Sequence, residues 1–421
     1  MKPQAFLVGV AVALLASGCT GGALRDRLLR ANATPTPIGS EALPARVLAQ
    51  LRDFDFAVET LRTRYYNPKV LNEAWEREVN QGREAIARSD GESLEPLVSA
   101  LSAVIEALGD DNTLLLPPSS PQGNTPRYGG IGVLVDMPRP GKDRILVLSV
   151  YPDSPAERAD IRPHDAIIAI EGEPVTFEQR DTLLARLRGE PGTSVTISVR
   201  RPGQGTRTVR LTRQVIEATD FTRYRRIANT DIGYILPAPS QPQRAAEDIA
   251  DALRALDADA ELGGLILDLR VTRSNEFPVE ALLRLFVNGR VGWIKQREQF
   301  KPLEMRGIAI AGSQEIPLVV LVSELTSGPA EALAGLLQSL GRAYVVGTPT
   351  AKQAFFVETF TLPVSRAQLV IPTGEYLDLT RRTWQSSAGV TPNPASDRAW
   401  ETFTEEDDPH LRLALDLLGA R

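Results

Sequence analysis

Ser327 stands in the stretch "SELTSGPAEALAGLLQ" (Ser323 to Gln338), where the end of a buried strand, a turn of small residues and a helix follow one another. A turn of that kind presents a serine hydroxyl at a helix N-terminus, where it can serve as a nucleophile. The structural alternative is a cap: Pro329 suits a first helical turn, which makes Ser327 or Gly328 a natural N-cap. Few other groups are available for chemistry. The chain has two histidines, His164 and His410, neither near Ser327 in sequence, and one cysteine, Cys19. No Cys/His cluster has metal-ligand spacing, and no phosphate loop ending in Lys-Ser/Thr occurs, so neither metal nor cofactor is expected. The acidic pair Asp110-Asp111 reads as solvated charge at a helix end. What remains is serine with lysine as base, a pair that works when burial lowers the lysine pKa.

The elements that would position such a pair follow from periodicity. The 421 residues, 43% hydrophobic and 24% charged, allow two or three domains of ordinary size. Glu41 to Leu108 reads as helices, with Leu48, Leu51, Phe54, Phe56, Val58 and Leu61 near helical spacing and "ESLEPLVSALSAVIEALG" repeating the pattern. "GDDNTLLLPPSSPQGNTPRYGG" then marks a boundary. From about Arg127 to Val215 short alternating runs predict strands, interrupted by one helix around Arg180 to Leu187. From Thr230 onward strands and helices alternate, and continuous apolar runs such as "GGLILDLR" and "IPLVVLVS" argue a buried, largely parallel sheet.

The N-terminus, "MKPQAFLVGVAVALLASGCTGG", has a positive Lys2, an apolar run from Ala5 to Leu15 and small residues before Cys19. The run is too short to span a bilayer. It resembles a bacterial lipoprotein signal, which implies lipid on Cys19 and a membrane anchor outside the cytoplasm, with Gly21 to Ser40 as tether. The net charge of −6 gives no sign of nucleic-acid binding. The basic stretch Arg207, Arg210, Arg213, Arg223, Arg225 and Arg226 reads as a solvated face between domains, with an acidic partner as the alternative.

"YGGIGVLV" followed by "SPAERADIRPHDAIIAIEGEPV" closely resembles a PDZ domain. Backbone N–H groups around Gly129, Gly130, Ile131, Gly132 and Val133 would then nest a peptide's terminal carboxylate, beside an edge strand that accepts an extended chain. The bland reading is a tight turn. His164, at a place where such domains often have glycine, reads as a tolerated change at a surface turn.

With "GGLILDLR", "VVLVSELTSGPAEALAGLLQSLGRAYVVGTPT" and "GVTPNPASD" in order behind the PDZ-like stretch, residues 50–400 resemble the carboxyl-terminal processing peptidases, or tail-specific proteases. The resemblance implies a multidomain α/β protein. Its parts are a signal peptide (1–18), a tether (19–40), a helical domain (41–118) and a PDZ β-sandwich or barrel-like domain (125–218). An α/β, crotonase-like core (225–400) and a helical tail (401–421) follow. It also implies capture of protein C-termini and cleavage by a Ser–Lys dyad. Five functional positions depart from the family pattern. Counting back three from Glu331 puts Gly328 at the nucleophile. The lysine after Gly347-Thr348-Pro349-Thr350 becomes Gln353, and the assisting glutamine becomes Val357. The oxyanion turn reads Val271-Thr272-Arg273-Ser274-Asn275, and the Asp-x-His-Ser/Thr stretch reads Asp110-Asp111-Asn112-Thr113. Ser327 and Lys352 each lie one residue before their family positions and keep the family separation of about two dozen. The expectations are therefore two: a peptidase using Ser327, Lys352 and a Gly328 oxyanion donor, or an inactive relative that binds peptides.

Overall fold

The computed structural model describes residues 43–110, 112–118, 127–217, 221–384 and 389–419. Cys19, the signal-like segment and tether before Leu43, and Asp111 lie outside the described residues. No helix among those described is long and apolar enough to cross a membrane.

The chain forms two compact units. The first holds α1 (Ala45–Arg64, up to Thr63), α2 (Glu73–Ala87) and α3 (Glu95–Glu106), joined by Leu362–Ser365. Its apolar residues recur every three or four positions, as a helix that buries one face requires. Phe54, Ala57, Val58 and Leu61 line α1, and Leu97, Ala100, Leu101 and Val104 line α3. Trp75 fills the space between and donates its indole N–H to the Val104 carbonyl at 3.1 Å. Asn72 caps α2 through its side chain. The buried Asp53 carboxylate accepts the backbone N–H groups of Val364 and Ser365, both at 2.7 Å.

The second unit contains every strand among the described residues. β1 (Leu114–Leu116) opens it, followed by β2 (Arg127–Gly130), β3 (Val133–Asp136), β4 (Ile145–Val150), a single helical turn α4 (Pro155–Arg158), β5 (Ala166–Ile170) and β6 (Glu173–Pro174). Helix α5 (Arg180–Leu187), β7 (Ser194–Arg200), β8 (Thr206–Thr212) and β9 (Gln214–Glu217) complete this part. The sheet runs β3-β4-β5-β7-β8, with β6 on β5 and a separate β2–β9 ladder. Its core is Val, Ile and Leu at alternating positions, closed by Leu183 and Leu187 of α5. Strand β3 ends the sheet, and its only partner among the described residues is β4.

Beyond it come β10 (Arg223–Arg226), β11 (Ile232–Leu236), α6 (Ala245–Asp259), β12 (Gly264–Asp268), α7 (Val279–Phe286), β13 (Gly289–Gln296), β14 (Gln299–Met305) and β15 (Leu318–Val322). Helix α8 (Pro329–Ser339), β16 (Tyr344–Gly347), β17 (Phe355–Thr361), β18 (Gln368–Leu377) and α9 (Pro409–Leu417) close the chain. The central sheet is β10-β11-β12-β15-β16, parallel from β11 to β16. All residues of β12 and β15 are buried, because helices cover both faces. Leu265, Leu267, Val320 and Val322 pack with α6, α7 and α8, while Ile266, Val319 and Leu321 pack with α9. A second sheet, β1-β18-β13-β14 with β17 on β18, completes the core.

Candidate active site and peptide groove

Strand β15 delivers the serine-bearing turn, and two buried hydroxyls fix its course. Ser323 Oγ donates to the Arg270 carbonyl at 2.6 Å, and Thr326 Oγ1 donates to the Leu269 carbonyl at 2.9 Å. The turn is thereby tied to the chain leaving β12. Ser327 extends the tie: its N–H donates to the Thr272 carbonyl at 3.2 Å, and it forms a parallel bridge with Arg273. Gly328 follows at φ 63° and ψ −140°, a conformation that glycine tolerates and other residues resist. It is the N-cap of α8, and no side chain caps that helix. Of the two residues that the sequence offers as cap, the structure selects Gly328, through its backbone. Ser327 is half-buried, and its hydroxyl has no hydrogen-bond partner among the described residues.

Opposite lies the loop between β16 and β17. Ala351 donates its N–H to the Thr326 carbonyl at 3.1 Å, so the loop and the serine turn are adjacent. The organiser is Glu331, in the first turn of α8 and fully buried. Its carboxylate accepts the Thr350 hydroxyl, the Lys352 N–H at 3.0 Å and the Gln353 N–H at 2.7 Å. Burial pushes this carboxyl up, against those hydrogen bonds, which hold it down. Thr350 Oγ1 in turn accepts the Val390 N–H at 2.8 Å. Lys352 takes a left-handed conformation, φ 64°, and its side chain is exposed. No hydrogen bond or ion pair joins Lys352 Nζ to Ser327 or to any other described residue. Gln353 is half-buried. A base for a serine must be withdrawn from water, and the exposure of Lys352 works against that role. Glu331 served the sequence reading only as a counting landmark. A glutamate two residues after a helix-opening proline, inside an otherwise apolar run, was the available signal for its buried role.

Asp110 corrects the reading of a solvated acid. It is half-buried, accepts the N–H groups of Asn112 and Thr113 and the hydroxyl of Thr113, and accepts the Tyr65 hydroxyl at 2.5 Å.

Gly129 and Gly130 belong to β2, in the ladder with β9, while Ile131 and Gly132 link it to Val133 at the start of β3. The carbonyls of Ile131 and Gly132 turn inward, accepting the N–H groups of Ala156 and Tyr151. A Cβ on Gly129 would fall 1.9 Å from the Gly189 carbonyl oxygen, so only glycine permits this approach of β2 to the end of α5. The five predicted groove residues thus surround the N-terminal end of an open edge strand.

His164 is not at an exposed turn. It is 2% exposed and stacks on Trp400 with centroids 3.8 Å apart. Its Nδ1 bonds to the Trp400 carbonyl at 2.7 Å. Burial, partly offset by that bond, holds its pKa down at about 4. The second histidine joins the same cluster: His410 packs edge-on against Phe403. Neither histidine bonds to Ser327. Asp268, Arg270 and Asp408 form a buried ion cluster below them, with Arg270 bonded to Asp268 at 2.6 Å and to Asp408 at 2.7 Å. A cavity of about 450 Å³ next to it, lined by His164, Arg223, Tyr234, Asp268 and Trp400, does not include Ser327 or Lys352. The basic stretch is largely tied down. Arg207, Arg213 and Arg226 donate to backbone carbonyls, and Arg223 faces Glu405.

The fold is that of a multidomain α/β protein in which a PDZ-like sheet precedes a largely parallel core sheet. The profile of peptidase family S41 matches residues 231–395, and a PDZ-domain profile matches residues 146–201. A carboxyl-terminal-processing protease of Picosynechococcus is 27% identical over 336 residues, covering 76% of this chain and 78% of that protein. The carboxy-terminal processing protease CtpB of Bacillus subtilis is 30% identical over 223 residues, 52% of this chain. This chain spans only 45% of that protein's length. Among solved structures, the photosystem II D1 C-terminal processing protease superposes with a TM-score of 0.56 at 22% identity, covering 85% of this chain and 94% of that one. Residues 231–395 thus carry a domain of peptidase family S41 and residues 146–201 a PDZ domain, and the chain is similar along most of its length to carboxyl-terminal-processing proteases.

Proposed function

We propose that this chain grips the C-termini of peptides or unfolded proteins at the open edge of β3 without hydrolysing them. It is then a regulator or scaffold on a peptidase frame, anchored outside the cytoplasm by lipid on Cys19. One observation carries the reading: Glu331, from which the family register is counted, binds the backbone N–H groups of both Lys352 and Gln353, while the Lys352 side chain is exposed and has no bond to Ser327. At the position that the register gives to the lysine there is a glutamine amide, which cannot take a proton from a hydroxyl. At the nucleophile position there is Gly328, which has no hydroxyl to activate. A fluorophosphonate probe tests this directly. The chain stays unlabelled under conditions that label an active relative, while C-terminal peptides still bind. Labelling at Ser327 overturns it. Replacing Cys19 by alanine should release the protein from the membrane fraction.

A second reading is favoured by the Ala351–Thr326 hydrogen bond, which keeps the residues after each partner close. In it Ser327 Oγ attacks the scissile carbonyl, Lys352 takes its proton and returns it to the leaving amine, and N–H groups near Gly328 steady the oxyanion. Loss of turnover in Ser327→Ala would support this reading.

A further inference from the structure

The cavity of about 450 Å³ lies against one face of the central sheet. Tyr234 and Leu236 alternate along β11, and Arg225 of β10 is paired directly with Tyr234, so the three side chains share that face. Asp268 at the end of β12, His164 and Trp400 also line the cavity. Its volume falls in the range of small-molecule sites, about 300–1,000 Å³.

The two ends of this cavity differ in what they lack. His164 is 2% exposed, and its Nδ1 lies 2.7 Å from the Trp400 carbonyl. A carbonyl only accepts, so Nδ1 carries the proton and Nε2 offers a lone pair. Nε2 has no hydrogen-bond partner among the described residues, a costly state for a buried acceptor. In the field of that ring, one guanidinium, Arg270, faces two buried carboxylates, Asp268 and Asp408, so this end carries an excess of negative charge. At the β10 end, Arg225 is exposed and lies 5.3 Å from the centroid of the Tyr234 ring. It has neither a carboxylate nor a carbonyl partner among the described residues. The acids near it are engaged: Glu405 faces Arg223 at 3.5 Å, and Glu406 faces Arg162 at 3.0 Å.

One end thus suits a positively charged donor and the other an anion. Strands β10 and β12 are separated by β11, which sets them about 10 Å apart at the usual spacing. The ammonium and carboxylate of a free amino acid share one carbon and cannot reach both ends, whereas a chain gaining about 3.5 Å per residue can. We infer that this cavity is a binding site for short zwitterionic peptides, about two or three residues long, whose terminal ammonium donates to His164 Nε2 and whose carboxylate meets the Arg225 guanidinium. Leu148, Leu236 and Trp400 offer apolar surface to the side chains between. The site is separate from the β3 edge and does not depend on that edge binding anything.

Isothermal titration calorimetry on the full chain tests this with the tripeptide Ala-Phe-Ala, its N-acetyl form and its C-terminal amide. An acetylated decapeptide with a free C-terminus is present in excess throughout, to occupy the β3 edge. The wild type should bind Ala-Phe-Ala, and acetylation should weaken binding about tenfold, the scale of one buried charge-assisted hydrogen bond. Amidation should weaken it about threefold, as loss of an exposed ion pair does, and that penalty should shrink as salt rises. Arg225→Gln, a surface change, should bind acid and amide alike while keeping the acetylation penalty. His164→Phe, which leaves a ring against Trp400, should lose most of the acetylation penalty, with circular dichroism confirming that it folds. Absence of binding, indifference to acetylation, or a full amidation penalty in Arg225→Gln would overturn the assignment. So would displacement of the tripeptide by the decapeptide, which would place it at β3 instead.

Discussion

Ala351 gives its backbone N–H to the Thr326 carbonyl at 3.1 Å, which docks the loop that carries Lys352 against the turn that carries Ser327. Ser327 turns to the chain after β12 through its bridge with Arg273. Lys352 turns to solvent while its backbone is held by Glu331. Two segments that resemble the halves of a dyad are thus docked by their backbones, and no hydrogen bond links their side chains.

Glu331 should carry much of that docking. Glu331→Ala would strand the Thr350 hydroxyl and the N–H groups of Lys352 and Gln353. Leaving several buried donors unpaired should cost about 3 kcal/mol or more. Urea denaturation measures this, and a loss under about 1 kcal/mol would mean that water replaces the carboxylate.

Gly328 should resist any side chain for a backbone reason. A Cβ there has room, its nearest neighbour being Asn275 Oδ1 at 3.4 Å. Gly328→Ala should nonetheless cost about 1–3 kcal/mol, the usual penalty for a non-glycine residue in a sparsely populated φ/ψ region. An unchanged denaturation midpoint would show that the turn relaxes freely.

His164 gives the protein an acid-sensitive joint. Its folded pKa of about 4 lies below the ordinary histidine value, so between those two pH values the unfolded chain binds the proton and the folded chain does not. Stability attributable to this residue is therefore complete above about pH 6.5 and falls as the pH drops toward 4, by up to about 3 kcal/mol. His410 is displaced in the same direction, again mainly by burial, with the Arg270 charge adding to it. Melting temperatures recorded from pH 7 to pH 4.5 should fall less steeply in His164→Gln than in the wild type. Parallel curves would locate the acid sensitivity elsewhere.

Much of this architecture was legible in sequence because burial leaves a local signature. The helix at Arg180–Leu187, the runs in β12 and β15 and the turn before Pro329 all appeared where periodicity and turn residues put them. His164 and Asp110 were misread for a common reason. Each is polar in a turn-rich stretch, which locally signals solvent, and each is shielded by residues distant in sequence: Trp400 and Phe403 in one case, Tyr65 in the other. The role of Glu331 was equally hidden, since its partners Thr350, Lys352 and Gln353 arrive only when the loop after β16 folds back.

The ion cluster under the histidines makes a further test. Burial pushes Asp268 up, but the Arg270 guanidinium and its hydrogen bonds hold it below the usual carboxylate range. Arg270→Met should leave Asp268 and Asp408 buried without their cation and cost about 3–5 kcal/mol. Soluble expression with near-native stability would show that the cluster is dispensable.

The most direct test of the central claim is mass spectrometry of an unfolded protein with a free C-terminus, incubated with excess full-length chain. The account predicts that the substrate is bound and recovered at its original mass, with wild type and Ser327→Ala indistinguishable. New C-termini produced by the wild type, and lost in both Ser327→Ala and Lys352→Ala, would contradict it.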